Sequence, residues 1–158
     1  MPKMPVESVI ERIDAAKALY HKLVFVVAES GSGKTSVLRE VSQALSAPLI
    51  NVNLELSRRL LDLTERQRSL QIPRLMAEVV EQGGNDILLL DNIEILFDAS
   101  LQQDPLRLLQ GLSRNKTLVV AWNGSIESHQ MEYAEPGHPE HRRYPVRDFL
   151  VVDLEVTA

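Results

Sequence analysis

The stretch Ala28-Glu29-Ser30-Gly31-Ser32-Gly33-Lys34-Thr35 constrains this chain more than any other part of it. It follows an unbroken apolar run, Leu23-Val24-Phe25-Val26-Val27. It precedes a segment in which Val37, Leu38, Val41, Ala44 and Leu45 recur at helical spacing. A short continuous apolar run rich in β-branched residues reads as a strand buried on both faces, and the helical recurrence as an amphipathic helix. A strand that enters a helix through a glycine-rich turn points several main-chain N–H groups into one concavity, and the positive end of the helix reinforces their pull on an anion. Glycines permit the unusual dihedrals and let phosphate oxygens approach the backbone. Lys34 is then expected to reach the β- and γ-phosphates as a mobile point charge, and the Thr35 hydroxyl to coordinate Mg²⁺. The pattern is G-x-x-x-x-G-K-[ST] with Ala28 at the first glycine position, which is tolerable if that residue keeps a negative φ. The candidate phosphate-binding residues are therefore Glu29, Ser30, Gly31, Ser32, Gly33, Lys34, Thr35 and Ser36. The expected ligand is a nucleoside triphosphate, taken as ATP, with Mg²⁺.

The rest of the chain alternates strands and helices. Val6, Val9, Ile10, Ile13 and Ala16 predict an N-terminal amphipathic helix. Pro48 to Val52 predicts a second strand, with Pro48 at its start, where a missing N–H does least harm. Leu56 to Gln82 is helical in pattern, and Pro73 should kink or divide it. After the turn Gly83-Gly84-Asn85, Ile87 to Leu90 predicts a third strand that ends on Asp91. Asp104-Pro105 reads as an N-cap followed by proline at the first helical position. Thr117 to Trp122 predicts a fourth strand and Asp148 to Leu154 a fifth. Residues 123 to 147 are polar and lack periodicity. This alternation predicts an α/β three-layer sandwich around a five-stranded parallel sheet. Residues 1–158 are expected to form a single nucleotide-binding domain, with residues 1–20 as a helix ahead of its core.

Further residues carry chemistry in this frame. Asp91, at a strand tip, is a candidate for the Mg²⁺ shell, because a carboxylate buried there is costly unless a cation or donors meet it. The alternative is that it caps the turn. Asn92 follows it and cannot accept a proton from water. Glu94, two residues further, could do so if the chain turns suitably, or is a solvated surface carboxylate. Asn123, at the end of the fourth strand, could touch the γ-phosphate or orient water, although Asn123-Gly124 also reads as a turn. Arg142 and Arg143, with Arg147, precede the last strand and are candidates for an arginine finger that acts on a neighbouring subunit's γ-phosphate, or form a solvated basic loop. Arg58, Arg59, Arg66, Arg68 and Arg74 could meet a partner or a nucleic-acid backbone, but interleaved acids such as Asp62, Glu65 and Glu78 favour surface pairing. His138-Pro139-Glu140-His141 is a weak metal pattern better read as surface. Trp122 and Phe149 read as core.

Composition narrows the classes. Among the 158 residues there is no cysteine, which excludes disulfides, thiolate metal sites and cysteine nucleophiles. A formal net charge of −5 argues against sequence-independent nucleic-acid binding by the whole surface without excluding a local basic patch. No apolar run reaches the roughly 18 residues of a spanning helix, and the N-terminus is too polar for a signal peptide. The expected location is the cytoplasm, away from membranes.

With the loop, the Asp91 strand and Asn123 in place, the chain resembles the ASCE division of P-loop NTPases, near AAA+. The stretches Leu88-Leu89-Leu90-Asp91-Asn92-Ile93-Glu94-Ile95-Leu96-Phe97 and Tyr133-Ala134-Glu135-Pro136-Gly137-His138-Pro139-Glu140, with the small size, resemble the BrxF family of type 3 BREX phage-defence systems. That resemblance implies a bacterial cytoplasmic protein whose partners include a DNA methyltransferase, a large ATPase and a phosphatase-like component. It also implies a departure from a full AAA+ module, because few residues follow the fifth strand to form a helical lid. Three functions stay open: an ATP-binding, slowly hydrolysing switch or assembly subunit, with nucleotide-dependent self-association and DNA contact as options; a small-molecule or nucleotide kinase with an arginine-rich lid; and a non-catalytic module stabilised by nucleotide.

Overall fold

The computed structural model describes residues 4–29, 33–134 and 138–157. Its centre is a twisted parallel sheet. The parallel strands are β1 (Leu23–Ala28), β2 (Leu49–Asn51), β3 (Ile87–Asp91), β4 (Thr117–Glu127) and β7 (Leu150–Asp153), in the order β2-β3-β4-β1-β7. All six residues of β1 are buried. The sheet splits them by side-chain alternation. Leu23, Phe25 and Val27 join Leu88, Leu90, Leu118, Val120 and Trp122 on one face. Val24, Val26 and Ala28 join Leu89, Val119, Ala121 and Val152 on the other.

Helices cover both faces, as the sequence predicts. Helices α1 (Pro5–Ala16) and α2 (Lys34–Leu45) bury Val9, Ile13, Ala16, Leu38 and Val41 on the second face. Helices α3 (Val52–Leu60), α4 (Glu65–Gln82) and α5 (Pro105–Leu112) bury Val52, Leu56, Ile72, Met76 and Leu109 on the first. Asp104 caps α5 by accepting from the Arg107 N–H, as expected. A single turn, α6 (Leu154–Thr157), follows β7.

The structure corrects two readings. The helical stretch divides at residues 61–64, not at Pro73, which lies inside α4. The break is set by Thr64, whose side chain accepts from the Gln67 N–H while the Gln67 side chain accepts from the Thr64 N–H. This capping box starts a new helix with two otherwise unpaired donors satisfied. The polar segment after Trp122 also forms strands among its described residues. Strand β4 runs straight through Asn123-Gly124, so that dipeptide is no turn. Its outer half pairs antiparallel with β5 (Gln130–Tyr133), which pairs antiparallel with β6 (Arg142–Pro145).

The β4–β5 turn is Ser128-His129, both with positive φ, at 51° and 60°. Two left-handed residues match the type I′ geometry that twisted hairpins favour, and Asn-Gly is its usual sequence. Ser-His pays strain there, which explains why the hairpin is hard to read. Ser128→Asn with His129→Gly is expected to stabilise the chain by about 1 kcal/mol. A urea midpoint that does not rise would contradict this turn.

Candidate active site at the sheet edge

The candidate site lies where the parallel strands end, the usual binding edge of an open α/β sheet. Ala28 of β1 is level with Asn123 of β4, and Asn51 of β2 with Asp91 of β3. Helix α2 begins at this edge. Its N-cap, Gly33, has φ 91°, a left-handed conformation that favours glycine. Ser30, Gly31 and Ser32 lie outside the described residues.

Lys34 is buried, at 6% exposure. Its Nζ donates to the main-chain carbonyls of Ala28 at 2.9 Å and Glu29 at 2.7 Å. These bonds hold the ammonium against the end of β1. Burial pulls its pKa below the ordinary lysine value, opposed by the carboxylates of Glu94, Asp91, Glu155 and Glu29. A cation with two carbonyl acceptors among the described residues, at a helix N-terminus, suits the oxygens of a polyphosphate.

Thr35, on the next position of α2 and exposed, donates from Oγ1 to Asp91 Oδ2 at 2.7 Å. Asp91 Oδ1 accepts from the Asn92 N–H at 2.9 Å. A hydroxyl and a carboxylate brought together at a wet edge are hard oxygen donors of the kind Mg²⁺ takes while keeping several waters. The described residues therefore fit this cation, and when bound it would neutralise phosphate charge. Ser36 is exposed beside Thr35. Asp91→Ala is expected to lower the Mg²⁺-dependent part of ATP affinity by about 10–100-fold. An unaltered Mg²⁺ titration would remove Asp91 from the metal shell.

The backbone after Asp91 turns sharply. Asn92 is left-handed, with φ 56°, and its carbonyl accepts from the Asn53 N–H at the start of α3. A 3₁₀ turn then runs over Glu94–Phe97. This turn delivers Glu94 to Asn123, whose Nδ2 donates to Glu94 Oε1. Thus Lys34, Thr35, Asp91, Glu94 and Asn123 gather at one edge.

Arg142 and Arg143 do not join them through any described contact. Both lie on β6, where Arg142 donates to the Gln103 carbonyl at 3.2 Å and Arg143 lies 3.7 Å from Glu132. Arg147 is exposed in the turn after β6. Arg59 pairs with Glu55, Gln82 and Glu78, and Arg58 with Glu55, while Arg68 donates to the Leu63 carbonyl. Among the described residues no cluster of three metal-ligating side chains forms around His138 and His141.

Two neighbours of the site escaped sequence reasoning. Glu155, in α6 beside β1, acts on Lys34 from the β7 side, and no pattern marks it. Tyr133 of β5 stacks on Phe97 with centroids 3.5 Å apart. Burial, then Glu94 and Glu140, push its hydroxyl up to about 12. Only the hairpin, once seen, places it there.

No curated protein matches the chain. The model of the ATPase family associated with various cellular activities (AAA) matches residues 24–127, more than half of the chain and the span from β1 to the end of β4. The chain therefore belongs to the AAA ATPase family.

Proposed function

We propose that this protein is an ATP-binding, slowly hydrolysing switch or assembly subunit of a bacterial phage-defence complex of the BREX type, working in the cytoplasm as a single nucleotide-binding domain. The observation that carries the nucleotide part is the joined set of Lys34 at the head of α2 and Thr35 bonded to Asp91. Lys34 and the loop amides bind the phosphates, and Thr35 and Asp91 hold the cation. Glu94 is the base that takes a proton from the attacking water, and Asn123 positions it. Glu94 Oε1 accepts from Asn123 Nδ2, which sets the base beside the residue that positions the water. The BREX assignment rests on the two stretches around Asp91 and Tyr133. It brings a large ATPase, a DNA methyltransferase and a phosphatase-like protein as partners. Arg142 and Arg143 would serve a neighbouring subunit as fingers in a nucleotide-dependent oligomer.

Phosphate release measured with the chain alone, with DNA and with those partners tests this reading. Slow release that a partner accelerates, and that Glu94→Gln removes, is the expected result. ATP binding without release under every condition would leave a nucleotide-stabilised module instead.

A further inference from the structure

The opposite end of the sheet carries a second arrangement, independent of the phosphate loop. There the segments before β1 and β4 run side by side, because the Lys22 N–H donates to the Ser113 carbonyl and the Leu118 N–H to the Lys22 carbonyl. This joins Tyr20, His21 and Lys22 to Arg114 and Lys116. Tyr20 is 67% exposed, the most exposed aromatic side chain among the described residues. The Arg114 guanidinium lies over its ring at 4.8 Å, and His21 meets it edge-on at 4.8 Å. Much of the Tyr20 side chain stays exposed beside these two contacts. Lys22 Nζ donates to the Arg114 carbonyl and Lys116 Nζ to the Asn85 carbonyl, so neither ammonium is neutralised by a described carboxylate. Beside the ring, Leu19, Tyr20, His21 and Asp148 line a pocket of about 260 Å³.

We propose that this face binds single-stranded nucleic acid, with one base in the Tyr20 pocket and the flanking phosphates against Lys22, Arg114 and Lys116. An exposed aromatic ring backed by arginine is a stacking platform for any base, and the cations beside it follow the backbone. The carboxylate distinguishes this from a plain anion site. Asp148 on the pocket wall repels a phosphate or lipid headgroup but accepts from the exocyclic amino group of a base such as cytosine. On a chain of net charge −5, such a patch also orients an anionic strand toward one end.

The test is fluorescence anisotropy of the full chain with a labelled oligodeoxycytidine of twelve nucleotides at low and moderate salt. Salt-sensitive binding is expected. Tyr20→Ala should weaken it roughly 5- to 150-fold and Tyr20→Phe should restore it. Arg114→Ala should reduce the slope of log affinity against log salt by about 0.7. An abasic strand of equal length should bind more weakly. Tyr20 is exposed, so its variants should keep the wild-type thermal midpoint and ATP affinity, which separates this proposal from the nucleotide site. Absence of binding at low salt, or equal binding by Tyr20→Ala, would overturn the proposal. So would equal binding of the abasic strand, or capture of phosphatidylserine vesicles in place of the oligonucleotide.

Discussion

Lys34→Ala is expected to remove most ATP binding, with affinity falling about a hundredfold or more. Hydrogen bonds from a charged donor contribute about 1.5–3 kcal/mol each, and a lysine that reaches two phosphates contributes twice over. Each 1.4 kcal/mol is about tenfold in affinity. The fold should survive the change. Lys34 is buried with only two carbonyl partners among the described residues, and burial lowers its pKa. A lysine whose folded pKa lies below its unfolded value is held more readily as a cation by the unfolded chain. Through this group alone, stability rises with pH between the lowered value and 10.5. The charge therefore opposes folding at neutral pH, and its removal should leave the thermal midpoint of the free protein unchanged or higher. Calorimetry of ATP binding beside a melting curve separates lost binding from lost structure. Wild-type affinity in the variant would defeat the site assignment.

Gly124→Ala is expected to cost about 3 kcal/mol of stability. A Cβ on Gly124 would lie 1.8 Å from the Glu132 carbonyl oxygen, and 2.9 Å from both its carbon and Trp122 Nε1. The nearest obstacles are backbone, so the β4–β5 ladder must open. Opening it also breaks the bond from Trp122 Nε1 to the Glu132 carbonyl, 2.9 Å long. Overpacking costs about 1–3 kcal/mol and a buried donor left unpaired about 1–3 more. Trp122 and Tyr133 belong to one aromatic cluster with Phe25, Phe97 and Tyr144, so the disturbance should spread into the core. It should also shift the adjacent Asn123 and its partner Glu94. A urea midpoint within about 0.5 kcal/mol of wild type, the range of neutral surface changes, would show that the hairpin is not paired in this register.

The sequence made the central parallel strands legible because β1, β3 and the inner half of β4 are buried on both faces and so are apolar almost without interruption. Leu23–Val27 and Leu88–Leu90 need no pattern beyond that. It made the Lys34, Thr35 and Asp91 group legible because phosphate and Mg²⁺ demand those residue types where a strand ends. The antiparallel addition was opaque for a physical reason. Residues Gly124–Glu127 of β4 are only partly buried or exposed, so their pattern is mixed, and the Ser128-His129 turn lacks the residues that usually announce a hairpin. The division of the long helix was misread because Pro73 is a loud signal and the Thr64–Gln67 box a quiet one. Glu94 and Asn123 were nameable one by one. Their bond depends on the left-handed turn at Asn92, which an asparagine tolerates but does not demand.

The phosphate loop can be interrogated at the backbone itself. A non-hydrolysable ATP analogue with Mg²⁺, titrated into isotope-labelled protein, should move the amide resonances of Gly33, Lys34 and Thr35 first and furthest, with saturation. Saturable movement centred on any other part of the molecule, with these three amides still, would contradict the account.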